Sequence, residues 1–456
     1  MEIKEIVKEQ QAFFNSNKTK DVSFRVEQLK KLKQILKENE PILFKAIYDD
    51  FGKSEFETYV SELALVYHEI NNFIKNCSKW SKIKRVSTGL ANFPAKSYII
   101  PEPLGVTLVI GAWNYPYQLS LNPAITALAA GNTVVLKPSE LPAKTSAVMA
   151  KIISDNFPSN YFCVVEGGVK ETTELLEHRF DKIFFTGSTP VGKIIYQAAA
   201  KNLTPVTLEL GGKSPTFVLA DADIKMTAKR IVWAKFLNAG QTCVAPDYIL
   251  VEKSIEIRFL EALKLELEQS FNFKNDIEQN YVRIINAKNF DRLSKLIDNE
   301  KVFVGGTLNA ETRFISPTIL HLISFDDEIM KDEIFGPILP VISFTNLNEV
   351  VQKVKEKPKP LSCYIYSKNK KVVTKLLKEL SFGGGAINDS VMHLSNSNLP
   401  FGGVGLSGIG NYHGKAGFDS FTHFKSILEK PFWFEANFKY APYSSLKLKI
   451  IKFLFE

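Results

Sequence analysis

The chain has 456 residues, too many for one ordinary hydrophobic core, so two or three domains are expected. Hydrophobic residues make up 45% and charged residues 23%, and 57 basic against 49 acidic residues give a mild net charge of +8. No lysine- or arginine-rich block points to nucleic acid, and no run reaches the roughly 18 apolar residues that span a bilayer.

The four cysteines, Cys77, Cys163, Cys243 and Cys363, lie far apart, with no Cys-x-x-Cys pair and no clustered histidines. Neither a disulfide framework nor a metal site is expected, and a reducing, cytoplasmic setting is. The opening MEIKEIVKEQ is charged and helical in pattern, without the apolar stretch of a secretory signal.

Residues 1–80 read as helices. Leu29, Leu32, Ile35 and Leu36 share helical spacing, Gly52 suits a helix end, and 55–80 continues as a second long helical pattern. The pattern changes near residue 104. Short apolar runs at 106–110, 133–136, 161–165 and 182–185 read as strands, 205–210 as an extended run, and 119–130, 144–156 and 191–200 as helices. Such alternation indicates βαβ units around a parallel sheet. A second alternating stretch, roughly 214–400, holds helices at 224–237 and 255–269 and a strand at 248–251, and reads as another α/β domain. Segments 87–100 (extended) and 420–440 (aromatic, β-prone) fit neither domain and suit pairing as an arm, one that fits a contact between subunits. In the tail, 446–455, apolar residues alternate with Lys447, Lys449 and Lys452. That pattern suits packing on a partner subunit, lying across a substrate mouth, or touching a membrane surface.

The glycine fingerprint G-x-G-x-x-G is missing from any strand-to-helix context. Its one string match, Gly403-Val-Gly405-Leu-Ser-Gly408, comes late and reads as a flexible loop. Gly211-Gly-Lys-Ser214 looks like the end of a P-loop, but Thr207 stands where that motif needs glycine. A better phosphate candidate is Phe184-Phe-Thr186-Gly187-Ser188, where a strand turns into a helix whose first N–H groups can meet a pyrophosphate. A simply capped βα turn is the blander alternative.

Three strings carry candidate chemistry. In Asn238-Ala-Gly-Gln-Thr-Cys243, a helix breaks at Gly240 and a cysteine follows in a polar turn, as an accessible thiolate requires. Cys163 and Cys363 sit in apolar strand-like runs and read as structural; taken alone, Cys243 too is more often inert. In Thr207-Leu-Glu209-Leu-Gly-Gly, a carboxylate ends an apolar strand, where burial would raise its pKa towards that of a general base. A glutamate pointing to water fits that string equally well. In Gly111-Ala-Trp113-Asn114-Tyr-Pro, a side-chain amide follows a strand, placed to donate to an oxyanion or simply to favour a turn. As isolated strings, Glu333-Ile-Phe335 and Lys137-Pro-Ser-Glu140 read as surface charge.

Together, AWNYP, LKPSE, FFTGS, LELGGKSP, GQTCVAP, EIFGP and LPFGGVGLSGIGNYHGKAGF resemble the aldehyde dehydrogenase superfamily, in its order, over about residues 101–425. The short N-terminal region and the NYHGKAGF ending look most like its class 3 branch, which includes fatty aldehyde dehydrogenases. The resemblance implies an α/β fold with a Rossmann-type dinucleotide domain (1–85 and 103–209) and an α/β catalytic domain (210–412). It also implies a small β oligomerisation arm (86–102 and 413–440), a tail (441–456) and a homodimer.

It further implies that Cys243 attacks an aldehyde as thiolate, with the oxyanion held by the Asn114 amide and the Cys243 N–H. Losing one such donor costs ~2.7–4 kcal/mol. Loss of hydride to NAD(P) leaves a thioester, which water activated by Glu209 hydrolyses. Lys137 and Glu140 would meet the adenosine ribose, and Thr186, Gly187 and Ser188 the pyrophosphate and nicotinamide path. Glu333 would hold the nicotinamide ribose, with Phe335 and Trp113 packed nearby, and Tyr115 and Thr242 would border the substrate tunnel. His413 matches a class 3 position, where a structural role is as plausible as a chemical one. Glu140 favours a free 2′-hydroxyl, hence NAD, although class 3 members often accept NADP as well. The expected substrate is a medium- or long-chain aliphatic or aromatic aldehyde. Two rivals are a coenzyme A-acylating or reductive relative, which would generally lack the base at 209, and a non-catalytic homologue, which would lose Cys243 or Asn114.

Overall fold

The computed structural model describes residues 2–271 and 281–455. Near its N-terminus, helices Val22–Glu38, Glu40–Phe51 and Ala64–Trp80 form a layer. Leu29, Leu32, Ile35 and Leu36 are buried on one face, as their spacing predicts, and Gly52 ends its helix with φ 73°. This layer covers helix Pro116–Ala130, in which every residue is buried.

Beneath that helix lies a sheet that, among the described residues, has six strands. Its spatial order is Gly408–Ile409, Val206–Glu209, Lys182–Thr186, Val106–Ile110, Thr133–Lys137 and Phe162–Val164. All pairings are parallel except that of the first strand. Strands 106–110, 133–137 and 182–186 are buried throughout, the signature of a sheet covered on both faces. Chain order reverses between Val106–Ile110 and Lys182–Thr186. In open α/β sheets the crevice beyond the carboxyl ends of two such strands is where ligands bind. Gly111–Asn114 and Gly187–Ser188 emerge there.

A second sheet has seven strands among the described residues, six of them parallel, with Val302–Val304 antiparallel at one edge. A third sheet joins Lys84–Val86, Lys96–Pro103 and Thr422–Glu429, all antiparallel. The expected arm therefore pairs within one chain, over eight residues from Thr422↔Pro103 to Glu429↔Lys96. The tail forms helix Ser445–Phe455. Among the described residues no helix is long and apolar enough to cross a membrane.

The Gly403–Gly408 string is not the flexible loop its glycines suggest. Gly408 pairs with Glu209, the Ser407 carbonyl accepts from Leu210 N at 3.1 Å, and Leu406 O accepts from Thr189 Oγ1 at 3.0 Å. Its glycines permit close backbone approach: a Cβ on Gly403 would collide with the Ser407 carbonyl.

Helix Ile224–Phe236 runs from the second sheet towards the crevice and stops in a tight turn at Leu237–Gly240. Asn238 and Ala239 take left-handed φ angles of 54° and 52°, and Gly240 follows with φ 68°. A Cβ on Gly240 would strike the Gly336 carbonyl oxygen. The Gly240→Ala enzyme is therefore expected to lose most activity and to melt at least about 3 °C lower, read by thermal unfolding. A wild-type melting point with full activity would contradict this account.

Candidate functional site

A cavity of about 860 Å³ opens at the crevice and continues between the two larger sheets. Lys137, Glu140, Thr186, Gly187 and Ser188 line one end, and Trp113, Tyr115, Thr242, Cys243, Glu209, Glu333 and Phe335 line the rest, with Asn114 and His413. Residues from seven separate sequence strings thus face one space, of ligand-binding size.

Cys243 follows the left-handed turn and is partly exposed to this cavity, whereas Cys77, Cys163 and Cys363 are buried. Burial pushes its thiol up to about 12, with the Glu333 and Glu209 carboxylates adding to the push; the amides of Cys243 and Val244 pull it down. Because the side chain opens on the cavity, solvent there screens part of this effect. Asn114 is buried, and its Nδ2 donates to the Gln241 carbonyl at 3.0 Å, two residues from the sulfur's residue. Only one of its two amide hydrogens has a partner among the described residues. Tyr115 Oη and Thr242 Oγ1 share a hydrogen bond of 2.6 Å at the same turn.

Glu209 is 3% exposed, and neither carboxylate oxygen has a hydrogen-bond partner among the described residues. Burial raises its pKa well above the usual carboxylate range. The surface-glutamate alternative is thereby excluded.

Glu333 faces the cavity from the far side. A Cβ on Gly211 would collide with its carboxylate, so the glycine pair makes room for a carboxylate and not for a phosphate. Burial, reinforced by Asp247, pushes Glu333 up to about 8, against the pull of the Gly212 amide, Lys213 and Lys235. Lys213 lies 2.6 Å from Asp247 and donates to the Ile329 and Asp332 carbonyls, while Asp247 Oδ1 accepts from Ile334 N at 3.0 Å. These bonds tie the 329–334 loop to the second sheet. Phe335 meets Trp113 edge to face at 5.3 Å.

At the other end Lys137 is 2% exposed, donates to Pro138 O at 2.7 Å and lies 3.5 Å from the exposed Glu140. Ser188 stands at the N-terminus of helix Thr189–Ala200 but its side chain makes no capping bond. Thr186 Oγ1 is buried without a partner among the described residues. Two uncommitted hydroxyls, free helix N–H groups and a paired lysine fit a dinucleotide's phosphates and ribose.

His413 is buried, stacked on Phe401 at 5.1 Å and set against Tyr412 at 4.3 Å. Burial pushes its pKa down to about 4, with His393 acting in the same sense, so it is neutral near pH 7 and part of an aromatic wall.

Sequence reasoning missed the groups behind the turn. Glu57 accepts from Asn238 N at 2.6 Å, Asn238 Nδ2 donates to Asn114 O at 2.8 Å, and Lys53 and Glu62 form a fully buried pair. Gly52-Lys-Ser and Ser-Glu-Leu carry no motif, and a charge gives no sequence signal of burial.

The sequence matches the aldehyde dehydrogenase family over residues 1–427. It is 46% identical to 4,4'-diaponeurosporen-aldehyde dehydrogenase of Staphylococcus aureus, over 98% of this chain and 97% of that protein. It is also 46% identical to the dimeric NADP-preferring aldehyde dehydrogenase of Rattus norvegicus, over 94% of each. The structure superposes on the substrate-bound state of Staphylococcus aureus AldH with a TM-score of 0.97, at 46% identity and with both chains covered in full. Its sequence, its fold and the residues gathered in its cavity agree: the chain belongs to the aldehyde dehydrogenase family, on the class 3 branch, and oxidises an aldehyde to the carboxylic acid with NAD or NADP.

Proposed function

We propose that Cys243 is the nucleophile, Asn114 the oxyanion donor and Glu209 the hydrolytic base, acting on medium- to long-chain aliphatic or aromatic aldehydes. The observation that carries this reading is the convergence of all three on one cavity, with Asn114 hydrogen-bonded to the turn that bears Cys243. When bound, NAD or NADP would supply the hydride acceptor. Lys137, Glu140, Thr186, Gly187 and Ser188 would hold its adenosine and phosphate portion, and Glu333, Phe335 and Trp113 would border the nicotinamide portion.

The aldehyde enters past Tyr115 and Thr242. Its carbonyl oxygen takes negative charge as sulfur adds, and the free Asn114 amide hydrogen and the Cys243 N–H receive it. The thiol, held neutral by its surroundings, loses its proton to solvent before it adds. After oxidation the Glu209 carboxylate, which has no competing partner among the described residues, draws a proton from water, which attacks the thioester and frees the acid and the Cys243 thiolate. A buried base at position 209 favours hydrolysis over transfer to coenzyme A, and the presence of Cys243 and Asn114 disfavours a non-catalytic role. The apolar wall, with Leu65, Leu119, Trp233, Met392 and Leu394, supports an apolar substrate.

For the architecture, the dinucleotide part is assigned to 1–85 and 103–209, the catalytic part to 210–412, and the arm to 86–102 and 413–440. The arm and tail (441–456) expose Phe432, Trp433, Tyr443 and Phe453, a surface that suits the partner subunit of a homodimer. The rat relative is named dimeric. Free cysteines fit a reducing, cytoplasmic compartment.

Cys243→Ala should abolish aldehyde-dependent NADH formation while calorimetry still detects NAD binding; residual turnover above about 1% would remove Cys243 from the nucleophile's role. Glu209→Gln should give a burst of NADH followed by turnover slowed about 100-fold or more. Because the Glu209 pKa is raised, its base form is lost as pH falls through that value, so parent activity should rise towards alkaline pH. That acidic limb should flatten in Glu209→Gln, and an unchanged pH–rate profile would count against the assignment. Glu140→Gln should raise the NADP/NAD ratio of kcat/KM by about 3–10-fold, since it removes repulsion of a 2′-phosphate. An unaltered ratio would place Glu140 away from the ribose.

A further inference from the structure

A buried ion pair stands behind the cavity and has no part in the chemistry above. Lys53 Nζ and Glu62 Oε1 lie 2.7 Å apart, and both side chains are 0% exposed. Lys53 also lies 3.5 Å from the Asn114 carbonyl oxygen and 4.3 Å over the Tyr115 ring. The other Glu62 oxygen, Oε2, accepts from Tyr117 N at 2.8 Å and Gln118 N at 3.4 Å. Those two amides belong to the first turn of helix Pro116–Ala130, where Tyr115 at the N-cap supplies no side-chain acceptor. The pair therefore grips residues 114–118 from two sides, holding the carbonyl that precedes the helix and the amides that begin it.

Stability alone is a poor reason for such a pair. Two charges without solvent are costly to bury, and hydrocarbon of the same volume often stabilises as well or better. What hydrocarbon cannot do is fix the rotation of the peptide at Asn114. That rotation matters because Asn114 is tied to the nucleophile's turn through both its ends. Its carbonyl accepts from Asn238 Nδ2 at 2.8 Å, and its amide donates to Gln241 O at 3.0 Å. An error in the main chain at 114 is thus passed to the remaining amide hydrogen.

We propose that Lys53 and Glu62 are positioning residues, which clamp the main chain around Asn114 and thereby aim its amide at the reacting carbonyl oxygen. The inference rests on Asn114 serving as the oxyanion donor.

A double-mutant cycle on the full-length enzyme tests it, with Glu62→Gln, Asn114→Ala and the combination assayed for kcat and both KM values. Glu62→Gln keeps an oxygen for the Tyr117 amide and removes only the charge. It should lower kcat about 10–100-fold and leave the KM for NAD within about two-fold. In the Asn114→Ala background the same substitution should cost less than about three-fold, because the group it aims is already gone. Full loss recurring in that background, or kcat preserved in Glu62→Gln, would overturn the proposal. Asn114→Ala that keeps its kcat would instead defeat the oxyanion assignment beneath it. Should Glu62→Gln not fold, Lys53→Met runs the same cycle with the same expectations.

Discussion

Asn238 and Ala239 hold left-handed backbone angles directly before Gly240 and the turn that carries Cys243. For residues with a side chain this costs on the order of 1 kcal/mol or more each, and it persists only when neighbouring groups over-determine it. Here those groups are identifiable. Glu57 takes the Asn238 amide, Asn114 takes the Asn238 side chain, and Gln241 bonds to Asn238 O, Arg283 O and Ile285 N. Without the bend, helix Ile224–Phe236 would continue past the crevice and its cysteine would not meet the other sheet. The site exists because one strained turn is held from both sides.

Electrostatics around the turn follow from the same enclosure. Burial, with Glu333 and Glu209 facing Cys243, raises its pKa, so the thiol stays neutral. The two carboxylates are treated differently. Glu333 has the Gly212 amide, Lys213 and Lys235 to lower its pKa, whereas Glu209 has burial alone. Groups of one chemical type are thus separated by environment: a carboxylate steadied by amides and lysines suits binding, and one left without partners suits proton transfer.

The arm extends this logic to the surface. Strand Thr422–Glu429 pairs with Lys96–Pro103 along its whole length, yet Phe424 and Leu428 remain exposed, as do Phe432, Trp433 and Phe434 beyond it. Among the described residues, main-chain pairing within the chain uses one edge of this strand and leaves its other edge and these side chains open to contact elsewhere.

The sequence by itself determined the alternation of short buried strands and helices, because apolar periodicity records which faces leave water. It also marked Cys243, Glu209 and Asn114, through the company each keeps in family strings, and part of the arm, since the observed pairing of Lys96–Pro103 with Thr422–Glu429 overlaps the β-prone segments 87–100 and 420–440. Tertiary structure alone decided the rest. Whether Glu209 is buried or a surface charge depends on segments packed around it, Cys243 and Tyr412 among them, far away in the chain. The end of the glycine string leads into the short strand Gly408–Ile409 because Glu209 and Leu208 offered it an edge. Lys53 and Glu62 carry no local signature, since burial of a charge is a property of the packed neighbours and not of the stretch of chain between two residues nine positions apart.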